Sequence, residues 1–445
     1  MKNKNQFILI IWAALLSGQL FSQTTVSDSV AMGQGYANAV YYNIRNGSES
    51  AKPIGQWHLS HTTVSRDNCI RVNHMANVDV YAYSKGDNSK FSTMDTTGWA
   101  FWKKCYNDVK VHENGALNQS LNSANMWDFS WGIYDPTTKE VTGDSLYLFV
   151  IGSQTGSTLF KFMPIKQLAN GDFIFRFATL NGSIDKTDTL FQSNFSGKSY
   201  KYYHFLTGDV QPEPSRDDWD LLFTRYYAPT IPPGGGNPVM YPTMGVESKR
   251  GTRVSKITTY TWDVMAANPA QTLTGLKMTG TPTELSKDLT KIGGDWKSFD
   301  NSTGKWTIQT GWNYVVESTR TLGAIKDTTY YMLSFTGFTG SSRGESQFRK
   351  LTLTPTASAT FKNLNIEAKL FPNPVQNDLL LWIPQLNQEA KLQIRAINGQ
   401  IMIEQTAQFQ SGSTLKLNIQ DLPAGQYMLN VVSGSDKASL PFIKQ

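Results

Sequence analysis

Three histidines, His58, His61 and His74, lie close together in the chain, and Met75 follows the last of them. Imidazole nitrogen and thioether sulfur both donate to transition metals without demanding hard oxygen geometry. Residues three apart on a strand face opposite sides of a sheet, so His58 and His61 diverge, whereas His61 and His74 can converge through a turn into a metal site. A second set of candidate ligands, Met240, Met244 and Met265, lies near or after the run Gly234-Gly235-Gly236, and methionine is equally a filler of apolar cores. The later histidine, His204, sits inside an aromatic strand. Asp217, Asp218 and Asp220 make an acidic cluster of the kind that holds calcium or simply lies solvated in a turn. Cys69 and Cys105 are the two cysteines; in an exported protein they form a disulfide or remain as two separate buried thiols. Catalytic patterns are missing from the sequence. It contains no Ser/Cys–His–acid constellation, no Gly-x-Ser-x-Gly, no His-Glu-x-x-His and no phosphate loop, and Gly33 and Gly35 do not join a strand to a helix. The chain reads as a binding protein and not as an enzyme.

The elements that must position these residues are short strands. Of the 445 residues 17% are charged and 12% aromatic, with 35 glycines, and this suits aromatic strands joined by tight turns. Leu146–Ile151, Asp172–Phe177, Trp312–Val316 and Tyr330–Phe335 alternate with the period of a half-buried strand, and Asn170-Gly171, Asn181-Gly182 and Thr303-Gly304 suit hairpin turns. The patterns also recur. Tyr41-Tyr42 with Gly47 matches Tyr202-Tyr203 with Gly208, Trp57 matches Trp219, Trp131 matches Trp296, and Tyr147 matches Trp312, all at a near-constant offset of about 160 residues. This predicts two tandem copies of one antiparallel β-rich domain, residues 30–190 and 195–355. The recurring tryptophans Trp57, Trp131, Trp219 and Trp296 are expected to face the cores of those copies.

Residues 202–227, with Trp219-Asp220 followed by Arg225-Tyr226 and the glycine run, resemble the HmuY family of secreted, all-β haem-binding proteins. The closing segments around Trp296–Phe299 and Tyr330–Phe335 look like that family's last hairpins. The resemblance implies haem or a related porphyrin as cofactor, held by histidine or methionine on opposite faces of the iron. The residues available for that role are His61, His74, Met240 and Met244. The alternative is a non-haem surface protein that recognises a glycan, a peptide or an envelope partner through aromatics such as Tyr226-Tyr227.

The tail changes character. After a linker at 356–369, residues 370–445 hold Pro372-Asn373-Pro374, a turn at Asn398-Gly399, Asp421-Leu422-Pro423-Ala424-Gly425 with Tyr427, and a final strand ending in Lys444. Five to seven short strands in this span predict a small immunoglobulin-like β-sandwich. The order of motifs resembles the type A sorting domain of the type IX secretion system, which implies the secretion machinery as a partner. At the other end, Lys2 and Lys4 precede an apolar run from Phe7 to Leu16, the order of a secretory signal peptide over residues 1–23. The reading is a chain passing the periplasm to the medium or the outer-membrane surface, with no transmembrane segment after signal cleavage. A net charge of +6 without a dense basic patch excludes nucleic acid as a partner.

Overall fold

The computed structural model describes residues 25–353 and 368–445, apart from short stretches at 65–66, 153–155, 233, 277–282, 323–324, 384–385, 397–399 and 435. The expected signal peptide, most of the linker and the Asn398-Gly399 turn lie outside the described residues. Two compact units are formed. One runs to Ala266 and resumes at Pro282 to end at Thr352, and the other holds Ala267–Thr281 and Leu353–Gln445.

The first unit is almost entirely antiparallel sheet. Its first part supplies β1 (Val26–Ala31), β2 (Asn38–Tyr42), β3 (Glu49–Pro53), β4 (Leu59–Thr62), β5 (Ile70–Val72), β6 (Val78–Ala82), β7 (Lys104–Cys105), β8 (Gly132–Asp135), β9 (Glu140–Gly143), β10 (Tyr147–Ile151), β11 (Thr158–Gln167), β12 (Phe173–Thr179) and β13 (Asp185–Leu190). Its second part supplies β14 (Tyr200–His204), β15 (Gly208–Val210), β16 (Leu221–Thr230), β17 (Val239–Ser248), β18 (Arg253–Ile257), β19 (Lys297–Asp300), β20 (Lys305–Ile308), β21 (Asn313–Leu322), β22 (Ile325–Phe338) and β23 (Glu345–Leu353). The strands expected from alternation at 146–151, 172–177, 312–316 and 330–335 are present as β10, β12, β21 and the second half of β22. Helix is confined to short pieces, chiefly α1 (Trp262–Ala267) and α2 (Pro269–Leu276), the latter in the second unit.

The two parts are not side-by-side domains, as the tandem repeat predicts; they exchange strands. One outer sheet runs β13-β12-β11-β10-β6-β7, with β8 and β9 attached at β11, and the other runs β1-β23-β22-β21-β18. One inner sheet runs β15-β14-β4-β5 and the other β3-β2-β16-β17. Thus β2 from the first part pairs with β16 of the second, Tyr42 opposite Leu221, while β14 from the second pairs with β4 of the first, Tyr203 opposite Leu59. The strand after each Trp57 or Trp219 is completed by the aromatic strand of the other part. Backbone bonds repeat the exchange: His58 N–H donates to the Tyr203 carbonyl and Asp220 N–H to the Tyr42 carbonyl, both at 2.9 Å.

Period-two alternation then builds four layers. On β4, β5 and β14 the residues Leu59, Ile70, Val72 and Tyr203 bury against Phe149, Phe162, Phe175 and Phe177 of one outer sheet. On β2 and β16 the residues Val40, Tyr42, Leu221 and Phe223 bury against Val316, Leu333 and Phe348 of the other. Each fully buried aromatic contributes roughly 1.5–3 kcal/mol of transfer free energy. The intervening residues, Ser60, Arg71, Tyr200 and Tyr202 on one inner sheet and Tyr41, Leu222, Thr224 and Tyr226 on the other, share the space between the two inner sheets.

Candidate functional site

That space is a cavity of about 120 Å³. Two edge-to-face aromatic pairs border it, and each joins one part of the chain to the other: Tyr41 with Trp219 at 4.9 Å and Trp57 with Tyr202 at 5.3 Å. The repeated tryptophans therefore divide. Trp131 and Trp296 are core, as expected, with their N–H groups bonded to the carbonyls of Asn68 and Gly293. Trp57 and Trp219 also border the cavity, Trp57 while packing on the first core, and a strand pattern does not distinguish a cavity face from a core face. Tyr226 and Tyr227, expected as exposed anchors, are half-buried in the cavity wall. Gly245, beside Tyr226 on the neighbouring strand, has no room for a side chain, since a Cβ there would stand 2.5 Å from the tyrosine hydroxyl.

Several polar groups in the wall have no hydrogen-bond partner in the protein: Trp219 Nε1, His74 Nε2 and His112 Nε2. His74 presents its Nδ1 to the Val78 carbonyl at 2.8 Å, which places the proton on Nδ1 and leaves the Nε2 lone pair free. Burial holds His74 down to a pKa of about 4 and His112 to about 3, so both imidazoles are neutral at physiological pH. Tyr202 donates to Glu213, a carboxylate that also takes the N–H groups of Ser199 and Tyr200. Arg71 gives its guanidinium to the carbonyls of Asp108 and His112 at 2.9 and 3.2 Å. Burial raises Glu247, on β17, to about 6, and the nearby Arg71 lowers it only in part.

The residues picked out as haem ligands do not come together here. His61 is fully buried in the first core, stacked on Phe173 at 4.3 Å with its Nδ1 on the Thr62 carbonyl. His74 lines the cavity, Met244 packs in the second core, and Met240 sits half-exposed far along β17, opposite Pro229. His58 and His204 stack at 3.8 Å beside a more open hollow of about 600 Å³, which His58 lines with Phe160, Leu180, Phe205 and Leu206. Each of these two imidazoles accepts a backbone N–H on Nδ1, from Phe205 and Leu206 respectively at 3.3 Å. Their protons are thereby held on Nε2, and neither nitrogen offers a lone pair to iron. Pockets for drug-sized ligands measure roughly 300–1,000 Å³, and the inter-sheet cavity of about 120 Å³ is too small for a porphyrin. The residues present do not fit haem.

One further expectation is corrected, and of two alternatives for the cysteines the structure has the second. Asp220 is no solvated or calcium-binding carboxylate; it is completely buried and paired with Arg320 through two bonds of 2.7 and 2.6 Å. Cys69 and Cys105 are free buried thiols, the first donating to the His112 carbonyl. Among the described residues no group of three or more His, Cys, Asp or Glu is placed to hold a metal ion.

The second unit carries its own core. Strands β24 (Lys369–Phe371), β25 (Asp378–Trp382), β26 (Glu389–Ala396), β27 (Ile401–Gln408), β28 (Thr414–Asn418), β29 (Gly425–Ser433) and β30 (Asp436–Lys444) form sheets ordered β24-β25-β28 and β27-β26-β29-β30. Leu379, Leu381 and Leu417 of one sheet pack on Leu392, Ile394, Leu429 and Phe442 of the other. The sequence motifs are its fastenings. In Pro372-Asn373-Pro374 the Asn373 side chain accepts from Ile443 N–H at 2.9 Å and donates to the Pro441 carbonyl at 3.2 Å, tying this segment to the last strand. In Asp421-Leu422-Pro423-Ala424-Gly425 the Leu422 side chain is buried, and Tyr427 reaches back to the Pro423 carbonyl at 2.8 Å while stacking on Phe442. Lys444 is nearly buried at the end of β30; Gly399 lies outside the described residues. Residues 369–445 match the family model described as secretion system C-terminal sorting domain. The tail is a sorting domain. It marks the chain for export by the type IX secretion system, to the medium or the cell surface. No curated protein matches the chain. Among the described residues no helix is long and apolar enough to cross a membrane.

Proposed function

We propose that this chain is a binding protein, carried out by a type A sorting domain that is removed during export, and that its ligand site is the cavity between the two inner sheets. The observation that carries the reading is the set of buried, unpartnered polar atoms on that wall, Trp219 Nε1, His74 Nε2 and His112 Nε2, in a space of about 120 Å³. A buried donor or acceptor without a partner costs about 1–3 kcal/mol, and a polar ligand or a few waters supplies the missing bonds. The ligand is small and polar rather than a porphyrin, which favours the non-haem reading of the family resemblance. Export delivers such a protein to where small solutes are met.

The test is a calorimetric and tryptophan-fluorescence screen of the purified chain against small polar solutes, using Trp219→Phe to report on the cavity. Binding that Trp219→Phe weakens at least tenfold is the expected result, together with no haem-specific Soret band when hemin is added. A tight hemin complex, or a complete lack of response to polar solutes, overturns the proposal. For the export half, a chain ending before residue 369 accumulates in the periplasm, as cell fractionation would show.

A further inference from the structure

We infer that the cavity is built for a small organic cation, an ammonium-bearing molecule anchored by the Glu247 carboxylate and enclosed by the aromatic pairs Tyr41–Trp219 and Trp57–Tyr202. This inference rests on the cavity being the ligand site. Its basis is the bonding of every charged side chain in the wall. Arg71 is engaged by backbone carbonyls. Asp108 takes the N–H groups of Lys110 and Val111. Arg250 is paired with Asp67 and Glu113. Arg225 lies over the ring of Tyr36.

Glu247 alone, among the described residues of the wall, has a charge that no hydrogen bond, ion pair or ring face in the protein meets. A half-buried carboxylate between two sheets is costly to hold ionised unless a donor reaches it. Arg71 is near enough to favour the ionised form yet forms no ion pair with it. Besides the charged groups already engaged, the wall offers ring faces and neutral imidazole, and aromatic faces attract cations through their quadrupoles, more strongly when water is excluded. An anion would meet the Glu247 charge, which Arg71 offsets only in part. A neutral polyol would gain the hydrogen bonds but not the charge. A space of this size holds on the order of ten water-sized positions, which suits a molecule no larger than choline or a short diamine.

The experiment is calorimetry at pH 8 on the full purified chain with choline, ethanolamine and putrescine, against the neutral isostere 3,3-dimethylbutanol and against glycerol. At least one cation is expected to bind, with affinity reduced at least thirtyfold in Glu247→Gln and at least tenfold for the neutral isostere. Glu247→Gln preserves shape, and its thermal unfolding serves as the check that it folds. Equal binding of the isostere, or unchanged cation affinity in Glu247→Gln, overturns the inference. Binding of glycerol but of no cation overturns the ligand class and leaves the cavity as the ligand site, whereas silence from every solute sinks both.

Discussion

Positions 58 and 220 come directly after the matched tryptophans and make the same backbone contact, yet they hold a histidine and an aspartate. Each accepts a backbone N–H from the exchanged strand, His58 Nδ1 from Phe205 and Asp220 from Ile44. The neutral ring needs no counter-charge, but the carboxylate does, and Arg320 supplies it from β21. Arg320→Ala leaves Asp220 buried and unpaired, at a cost of about 3–5 kcal/mol, measurable by urea unfolding; the double change Asp220→Asn with Arg320→Met recovers most of the loss. The buried imidazoles set an acid limit. His74 and His112 titrate near 4 and 3 in the native state against 6.5 when exposed, so the unfolded chain takes up protons first. Their contribution is full above about pH 6.5 and is lost as pH falls towards the native values, at up to about 1.4 kcal/mol per pH unit for each. Glu247 works in the opposite sense: its contribution is present below about 4.5 and lost as pH rises through about 6. Unfolding free energies at pH 7 and pH 5 are expected to show a net loss at pH 5, smaller in His74→Phe. None of this is legible in the sequence, where His74 reads as a ligand and Asp220 as one of three exposed acids. Residue type shows that a group titrates, and only its neighbours show whether it is met.

Strands are the legible level. Alternation locates β10, β12, β21 and part of β22, because each buries one face on a dense aromatic core. It cannot name partners, since a period of two states which face is covered and not by which strand. The exchange is sharpest at Phe205. It stands just beyond β14 and packs on Phe149, Phe160 and Phe177, at 5.2, 5.3 and 4.9 Å, so a residue of the second part fills the core of the first. Phe205→Ala is expected to cost about 3–5 kcal/mol, seen as an earlier unfolding midpoint, and to loosen the β14–β4 pairing, seen as faster amide exchange in β4. The sorting domain is read more fully from its residues, because its fastenings are local: Asn373 to the last strand and Tyr427 to Pro423 act within motifs visible in the sequence.

At the scale of the molecule, the offset of the repeated aromatics is visible, but their exchange is not; matched sequences are the same whether two units lie side by side or interlock. The exchange makes a distinct prediction. A cut at the exposed turn around Gly197 gives fragments 25–197 and 198–353, and each lacks the strands that complete its inner sheet. Expressed alone, each is expected to be insoluble or unfolded by circular dichroism; expressed together, they are expected to copurify as one folded species. Soluble, folded single fragments would show that the parts are self-sufficient.

The pairing of β1 with β23, Val26 opposite Lys350, has a consequence in time. A sheet whose first strand pairs with its last cannot close until residue 350 has emerged from a ribosome or a translocon, and pairings so distant in sequence form slowly. Until then β1 has no strand to pair with, and this sheet stays open at that edge. The topology thus orders assembly: the strand made first is the one paired last.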